Sequence, residues 1–497
     1  MTLYVIGIGG TGAKCVEAIA HLTAVGLLPS NSIEILFVDP DQTNGSLDRT
    51  KKTLDIYQKC QSLIQSNQEQ CPWMSREIKV NPVWSPFQNQ EQQQLKSFFN
   101  YNTLKQPELE GLANLFDVLY TKEEGEAELD VGFRGKPAIG SVIMTGLAIA
   151  IRTIMSKISS EVGAGEKPKV LLCGSIFGGT GAAGLPTIGR LIEDKLKREG
   201  VRSSVQIGGL FVLPYFGFQS NLSQNEVHAR SELFLLNTEA ALRYYAKRSE
   251  QYDAIYLLGN QQLSQVEQFS VGKGTQKNRP HFIELYAALA ARHFLLNDLG
   301  HGSVITISRK KGPSDDKNGK VDWGDLPDRS EVKPLLVQAG RFAYCWLSDI
   351  KPGLAYCQEV GVPQFQKAAP WFTKFFQGKG LFARGRGLPD FNDMKEQEAI
   401  KVISAWCQDY LRWLSDIHQC NNEDIELFKA NHFKELKKDN FADLVYDDGR
   451  DQNFKNQDTV SNLKVKLDEE IEPKTKITAP NEGVVGLAKA IYMLSKI

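Results

Sequence analysis

The chain has 497 residues, of which 42% are apolar and 24% charged, the balance of an ordinary globular protein with two or three domains. Lysine and arginine total 58 and aspartate and glutamate total 59, which argues against a protein that coats nucleic acid or anionic lipid through bulk charge. No apolar run reaches the roughly 20 residues that a membrane-spanning helix needs. We therefore expect neither a membrane nor a nucleic-acid partner.

The first residues, MTLYVIGIGGTG, pass directly into a strand and a glycine loop and show no signal-peptide pattern. The eight cysteines form no CxxC pair and have no zinc-site spacing. These features predict a cytoplasmic protein with reduced thiols.

Strands and helices alternate over the first 300 residues, which predicts an α/β fold with a parallel sheet. The predicted strands are 3–8, 33–38, 169–173, 206–213 and 254–258. The predicted helices are 11–28, 138–158, 225–247 and 280–296. The polar, partly glutamine-rich segment 50–130 is expected to be in part an insertion outside the core.

The expected domains are a nucleotide-binding domain over 1–300, a linker or hairpin over 301–329, and a helix-rich domain over 330–497. The second domain is rich in aromatic residues at helical spacing and ends in an amphipathic helix, 484–497. This helix is expected to pack on the protein's own sheet rather than on a neighbour, since most amphipathic helices face their own core. It is also the expected docking module for a protein partner.

Two glycine loops are the candidate ligand-binding motifs of the sequence. The first runs from Gly7 to Gly12 between a predicted strand and helix, as in dinucleotide-binding folds, and Asp39 ends the next strand. The second runs from Gly178 to Gly184 in the same setting and lacks the lysine of a P-loop. Two such loops after two parallel strands can converge on one polyphosphate.

The second loop, GGTGAAG, resembles the glycine signature GGGTGSG of the tubulin/FtsZ superfamily, with Phe177 in place of the first glycine. The order of the other loops over the first 300 residues is also similar, and the chain looks most like the divergent bacterial tubulin-like members. The resemblance implies a parallel-sheet tubulin/FtsZ-like domain that binds GTP or GDP with Mg²⁺. It also implies self-association, head to tail, into an oligomer or filament.

The resemblance extends to single residues only where a position matches a loop of the family. The phosphates would rest on Gly9, Gly10, Thr11, Gly12, Gly178, Gly179, Thr180 and Gly181. The terminal phosphate would be capped by Arg134, Gly135, Lys136 and Pro137. Asp39 and Asp41 would position the metal and its waters.

On the nucleoside side, the resemblance places Pro214 and Tyr215 at the ribose, Asn260 at the base edge and Phe282 stacked on the base. Tyr286 stands where the family has a second base-reading asparagine, so the choice between guanine and adenine stays open. The catalytic loop of the family is matched only by Asn297 and Asp298, at the wrong spacing. We expect hydrolysis to be weak or absent.

Two other kinds of protein remain as alternatives. A nucleotide-binding scaffold that does not hydrolyse its ligand, in a bacterial conflict or signalling system, accounts for the degenerate catalytic loop. An adenylating enzyme of the ubiquitin-activating type, or a nicotinamide dehydrogenase, accounts for the first glycine loop and Asp39. Both of these enzymes leave the second glycine loop unexplained.

Overall fold

The computed structural model describes residues 1–496 apart from 65–70, 88–93, 131, 134–135, 149–150, 219–230, 261–262, 267–277, 301, 308–319, 381–386, 421–424, 437–438, 447–451 and 470–481. The strands are β1 (Thr2–Ile8), β2 (Ser32–Val38), β3 (Glu77–Val80), β4 (Lys169–Ser175), β5 (Gln206–Val212), β6 (Phe216–Phe218), β7 (Ala254–Leu258), β8 (Ser264–Val266), β9 (Ser303–Ile307), β10 (Val321–Asp322) and β11 (Ile425–Glu426).

The helices of the first 300 residues are α1 (Gly9–Ala24), α2 (Gly45–Ile64), α3 (Leu95–Phe98), α4 (Tyr101–Leu104), α5 (Glu110–Leu119), α6 (Lys122–Glu126), α7 (Pro137–Met144), α8 (Arg152–Gly163), α9 (Gly179–Arg198), α10 (Ser231–Tyr245) and α11 (Phe282–Leu296). Those of the C-terminal region are α12 (Arg329–Cys345), α13 (Lys351–Val360), α14 (Val362–Ala368), α15 (Phe372–Phe375), α16 (Met394–His418), α17 (Asn431–Glu435), α18 (Gln452–Gln457), α19 (Val460–Glu469) and α20 (Gly483–Leu494).

Seven strands form one parallel sheet in the order β3-β2-β1-β4-β5-β7-β9. The central pair is joined in register with Leu3 opposite Lys169 and Gly7 opposite Cys173. With the helical region that follows, this arrangement confirms the predicted fold class. Such strands read as nearly continuous apolar runs because both faces of a parallel sheet are covered.

The order of the strands reverses between β1 and β4. From β1 the sheet grows outward through β2 and β3, and from β4 it grows in the other direction through β5, β7 and β9. In open parallel sheets a ligand binds outside the carboxyl ends of the strands at this reversal. Both glycine loops lie at that point, because one follows β1 and the other follows β4.

The two faces of the sheet have separate hydrophobic layers because side chains alternate along each strand. Leu3 and Val5 face a layer that contains α1, α2 and α11, whereas Tyr4 and Ile6 face a layer that contains α7, α8 and α9. The helices of the two layers thus hold the glycine loops from opposite sides of the sheet.

The C-terminal helices share the first of these hydrophobic layers. Trp73 is fully buried and its ring lies 4.8 Å from Phe342, 5.3 Å from Trp406 and 5.6 Å from Tyr492. The last helix, α20, packs inside the protein, but against α12, α15, α16 and α19 rather than on the sheet as expected.

The segment 50–130, expected to be in part an insertion, also contributes to the core: α2 buries Leu54 and Tyr57 against α1, and β3 extends the sheet. Two other sequence expectations differ from the structure. The segment 301–329, expected as a linker or hairpin, contains β9, which pairs with β7. The helix expected over 138–158 is divided into α7, a 3₁₀ turn and α8.

No helix in the described part of the chain has the length and apolarity needed to cross a membrane.

Candidate nucleotide site

The two glycine loops are in contact at the carboxyl ends of β1 and β4. Gly9 has a φ of +68°, a left-handed conformation that favours glycine. A Cβ atom at Gly9 would lie 3.2 Å from the Cβ of Thr180. The loops therefore meet through the backbone of one and the threonine of the other.

Each loop opens a long helix whose first amide groups have no side-chain cap. Neither Ile8, before α1, nor Gly178, before α9, caps the helix through its side chain, and neither helix has an acidic residue in its first turn. The first four amide N–H groups of a helix lack internal partners, and the helix dipole adds positive potential there. Two such ends side by side make a strong site for an anion.

Glycines in both helices allow the backbone to approach the strands closely. A Cβ atom at Gly12 would lie 2.5 Å from the carbonyl oxygen of Cys173, in the neighbouring strand. One at Gly181 would lie 2.8 Å from the amide nitrogen of Ser175 and would collide with its carbonyl oxygen. These glycines therefore set how closely the loops approach the strands.

Two acidic side chains lie after β2, beside the first loop. Asp39 is buried, and its Oδ1 accepts a hydrogen bond from the Asp41 amide at 3.1 Å, while its Oδ2 has no hydrogen-bond partner in the described structure. Burial raises the pKa of Asp39 to about 8. Asp41 Oδ1 accepts bonds from the amide and the hydroxyl of Thr43 at 3.0 and 2.8 Å.

The unpaired oxygen of Asp39 fits a cation or a ligand hydroxyl. No cluster of three or more histidine, cysteine, aspartate or glutamate side chains forms a metal cage within the described residues. Mg²⁺ at Asp39 and Asp41 would accordingly complete its coordination with waters and ligand phosphates, as this ion commonly does.

Asn44 is a residue of this site that sequence reasoning missed. A Cβ atom at Gly10 would lie 3.0 Å from the Asn44 Nδ2 atom, and Asn44 Oδ1 accepts a bond from the Ser46 amide at 2.9 Å. An asparagine just before a helix is a recognisable capping signal, and α2 begins at Gly45. The sequence does not show that Asn44 lies beside the first loop, because tertiary packing brings the two together.

Gly132, just before the predicted phosphate-capping residues, lies next to the second glycine loop. A Cβ atom at Gly132 would lie 3.8 Å from the Thr180 hydroxyl oxygen, and α7 starts with Pro137. Lys136 Nζ is 2.5 Å from Glu124 Oε1, so a carboxylate holds the lysine that the sequence assigns to a phosphate. Arg134 and Gly135 lie outside the described residues.

Tyr215, which the resemblance places at the ribose, is buried, and its hydroxyl has partners inside the protein. Pro214 and Tyr215 follow β5 and are both buried, Tyr215 to 1% exposure. The Tyr215 phenol accepts a bond from Lys14 Nζ at 3.0 Å and donates one to Glu284 Oε1 at 2.6 Å. The Tyr215 hydroxyl thus lies between the charges of a buried ion pair, Lys14 and Glu284.

The three residues expected at the base differ in their position and in whether their polar atoms already have partners. Asn260 follows β7 at the same edge of the sheet as the glycine loops, and its buried Nδ2 has no partner among the described residues. The Phe282 ring is 6% exposed and lies 4.6 Å from the His281 ring. The Tyr286 hydroxyl donates to the Asp325 carbonyl at 2.7 Å, so it has a partner inside the protein.

Asn297 and Asp298 lie at the opposite edge of the sheet. Asn297 Nδ2 donates to the His293 carbonyl at 2.8 Å, and Asp298 Oδ1 is 3.3 Å from Nζ of Lys169, the first residue of β4. A seven-residue strand spans roughly 23 Å and separates Lys169 from the second glycine loop. These two residues cannot reach a phosphate on the loops of their own chain.

No protein-family model matches the chain, and no curated protein matches it. Among solved structures it is similar to CetZ2 from Haloferax volcanii in a GTPγS-bound protofilament, with 14% identity, a TM-score of 0.29, and coverage of 60% of this chain and 57% of that one. It is also similar to an empty FtsZ dimer from M. jannaschii, with 14% identity, a TM-score of 0.24, and coverage of 60% and 52%.

A third similar structure is a GTPγS-form protofilament of TubZ from Bacillus thuringiensis serovar israelensis, with 11% identity, a TM-score of 0.22, and coverage of 59% and 54%. The matched region thus spans little more than half the length of each of these proteins. TM-scores this low carry no argument about function.

Proposed function

We propose that this protein binds a purine nucleotide, GTP or GDP foremost, with Mg²⁺ between the two glycine loops. The observation that carries the proposal is the contact between two uncapped helix N-termini, α1 and α9, where the strand order reverses. Backbone amides and helix dipoles at that point suit a polyphosphate without a P-loop lysine.

The residues around the loops supply the remaining contacts of the proposal. Thr11 and Thr180 donate hydroxyl hydrogen bonds to phosphate oxygens, and Asp39 and Asp41 hold Mg²⁺ through its waters or directly. Lys136 leaves Glu124 for the terminal phosphate. The unpaired amide nitrogen of Asn260 donates to the base.

Self-association and turnover form the second part of the proposal. Asn297 and Asp298 lie at the far edge of the sheet, and the Asp298 side chain is 85% exposed. Only a second copy, stacked head to tail, brings them to the loops. Because their spacing departs from the family's catalytic loop, we propose a nucleotide-dependent switch or assembly with weak or no hydrolysis.

A dinucleotide or adenylate site is the second candidate, and one observation favours it. An acidic residue at the end of the strand after the glycine loop binds a ribose hydroxyl in such proteins, and Asp39 has an unpaired oxygen at that position. The second glycine loop has no role in this candidate, which is why we place it second.

Calorimetric titration with GTP, GDP, ATP and NAD in the presence of Mg²⁺ tests both candidates. We expect GTP or another purine triphosphate to bind, and we expect Gly9→Ala to weaken binding at least tenfold, because alanine is strained at this φ and crowds Thr180. Gly111→Ala is the matched control, since a Cβ atom there meets no atom within 4 Å.

Light scattering and phosphate release then separate a polymer, an enzyme and a scaffold. A rise in scattering with GTP supports head-to-tail assembly, and binding without assembly or phosphate release supports the scaffold. Binding of NAD alone would bring the second candidate forward. Equal affinities of the wild type, Gly9→Ala and Gly111→Ala would contradict the proposed site.

A further inference from the structure

Asn44 brings to the first glycine loop a side-chain donor that the proposed contacts do not use. Its carboxamide lies close to α1, because a Cβ atom at Gly10 would be 3.0 Å from Asn44 Nδ2 and 3.2 Å from Asn44 Oδ1. Gly10 belongs to the first turn of α1, where backbone amides have no partners within the helix. The carboxamide therefore lies against the part of the backbone where the proposed phosphate rests.

The orientation of this carboxamide is determined by α2. Asn44 Oδ1 accepts hydrogen bonds from the Ser46 amide at 2.9 Å and the Leu47 amide at 3.4 Å, as the oxygen of an N-cap residue does. Only the oxygen of a carboxamide accepts hydrogen bonds, so Nδ2 must be the atom on the other branch. Nδ2 makes no hydrogen bond to any residue that the structure describes, and its two N–H groups are available to a ligand.

The turn before α2 carries one group for each charge of a polyphosphate and its Mg²⁺. The Asn44 amide donates to the Asp41 carbonyl at 3.2 Å, and the Asp41 amide donates to Asp39 Oδ1 at 3.1 Å, so the three residues have fixed relative positions. The buried, unpaired Oδ2 of Asp39 fits a cation. The Nδ2 atom of Asn44 is a donor and fits an anion.

We propose that Asn44 is a ligand-binding residue whose Nδ2 donates a hydrogen bond to a phosphate oxygen held on the first turn of α1. The inference deepens the proposed function and rests on it. Asn44 is not a metal ligand in this proposal, because Mg²⁺ takes oxygen ligands and the Asn44 oxygen is engaged at α2.

Asn44→Asp separates the contact with the ligand from the capping of α2. Aspartate caps a helix as well as asparagine does and is favoured at helix N-termini, so we expect the variant without ligand to melt at the wild-type temperature or above it. It removes the donor and places a negative charge beside the phosphate. We therefore expect its affinity for GTP and GDP to fall tenfold or more, both with Mg²⁺ and with EDTA.

Asn44→Ser is a second variant that keeps the cap without adding a charge. Serine is as good an N-cap residue as asparagine, but its side chain is too short to place a donor on α1 while it caps α2. We expect wild-type stability and a loss of affinity of about tenfold. Asn114→Asp is the matched control, because it makes the same chemical change at an exposed position of α5 and should bind nucleotide with wild-type affinity.

Three results would overturn the proposal. Wild-type affinity in Asn44→Asp would show that Nδ2 does not contact the ligand. Tighter binding by Asn44→Asp in Mg²⁺ would place residue 44 at the metal. A parallel fall of melting temperature and affinity in both variants would show that Asn44 acts only by capping α2.

Titration with inorganic tripolyphosphate separates this proposal from the proposed function, because the probe carries phosphates without a base or a ribose. We expect the wild type to bind the probe and Asn44→Asp to bind it at least tenfold more weakly. If the wild type binds the probe but no purine nucleotide, the Asn44 contact is retained and the nucleotide function is rejected. If the wild type binds neither, both are rejected.

Discussion

Single glycines determine how closely the helices at the site pack against the strands of the sheet. Gly181 faces the backbone of Ser175, which cannot rotate away as a flexible side chain can. Gly163, at the end of α8, has no atom within 4 Å of the position where a Cβ atom would lie. The same substitution should have opposite consequences at these two positions.

We predict that Gly181→Ala lowers the free energy of unfolding by about 1–3 kcal/mol, the cost of overpacking a rigid contact. Gly163→Ala should leave that free energy unchanged or raise it by up to about 1 kcal/mol, because alanine favours the helix. Urea unfolding followed by circular dichroism measures both values. A Gly181→Ala protein as stable as the wild type would show that the loop and Ser175 can separate at no cost.

The acid sensitivity of the protein should depend on a buried histidine of α1. His21 is 1% exposed, stacks on Trp413 at 4.6 Å, and lies 3.7 Å from Asp409. Burial lowers the pKa of His21 to about 3; the Glu17 carboxylate raises it but does not compensate for the lost hydration, and the charges of Arg412 and Arg49 lower it further. In the unfolded chain the pKa is near 6.5, so between the two values the unfolded state binds more protons.

Stability should therefore fall as the pH is lowered from about 6.5 towards 3. We predict that His21→Phe, which keeps an aromatic ring on Trp413, makes the free energy of unfolding less dependent on pH across pH 6.5–4.5 than in the wild type. Chemical denaturation at four or five pH values in this range measures the slope. Parallel slopes for the two proteins would mean that His21 is charged or exposed in the folded state.

At the scale of elements, one carboxylate joins three helices. Glu17 of α1 is 1% exposed and contacts Arg49 of α2 at 2.8 Å and Arg412 of α16 at 2.7 Å. Arg412 also contacts Asp409 at 2.8 Å and Asp416 at 3.0 Å. This group connects the sheet layer to the C-terminal helices through charge, in addition to their shared apolar core.

We predict that Arg412→Met destabilises the fold by about 3 kcal/mol, because it leaves the buried Glu17 with one partner and removes the counter-charge of Asp409 and Asp416. Lys59→Met is the control: Lys59 and Asp55 form an exposed pair, for which the expected loss is about 0.5 kcal/mol or less. Denaturant unfolding at low and at high salt measures the loss of unfolding free energy in each variant. Salt screens the exposed pair of Lys59 and Asp55 more than the buried group around Glu17. A similar small loss in both variants would place Glu17 in contact with water.

The elements also show which parts of the fold could be predicted from the sequence. The buried strand 254–258 was predicted to its observed bounds because its apolar run is continuous, and both glycine loops were predicted from their residues alone. The edge strands β3 and β9 were missed because they are short or only partly buried. The position of Tyr215 beside Lys14 was not predictable, since 201 residues separate two side chains that pack together only in the folded sheet.

At the scale of the whole molecule, the helical region and the sheet share one hydrophobic core. Residues of β1, α1, α12, α16 and α20 belong to the same hydrophobic core. Trp73, for example, loses its ring contacts with Phe342, Trp406 and Tyr492 if the chain ends before the helical region. A boundary near residue 330 would therefore cut through a core instead of a linker.

We predict that a fragment of residues 1–329 aggregates or lacks native ellipticity, whereas the full chain unfolds in a single thermal transition. Calorimetry of the full chain and size-exclusion chromatography of the fragment measure these outcomes. Two separate calorimetric transitions, or a monomeric fragment with a cooperative melt, would show that the two regions are independent domains.

The pairing of β4 with β1 also sets when the sheet can form during synthesis on the ribosome. Leu3 pairs with Lys169, 166 positions later, so β1 keeps one open edge while the intervening chain is made. At about 5–20 residues per second this interval lasts roughly 8–33 seconds. The loops at Gly9 and Thr180 can meet only after that delay, and an unpaired apolar strand in this interval is a natural substrate for a chaperone.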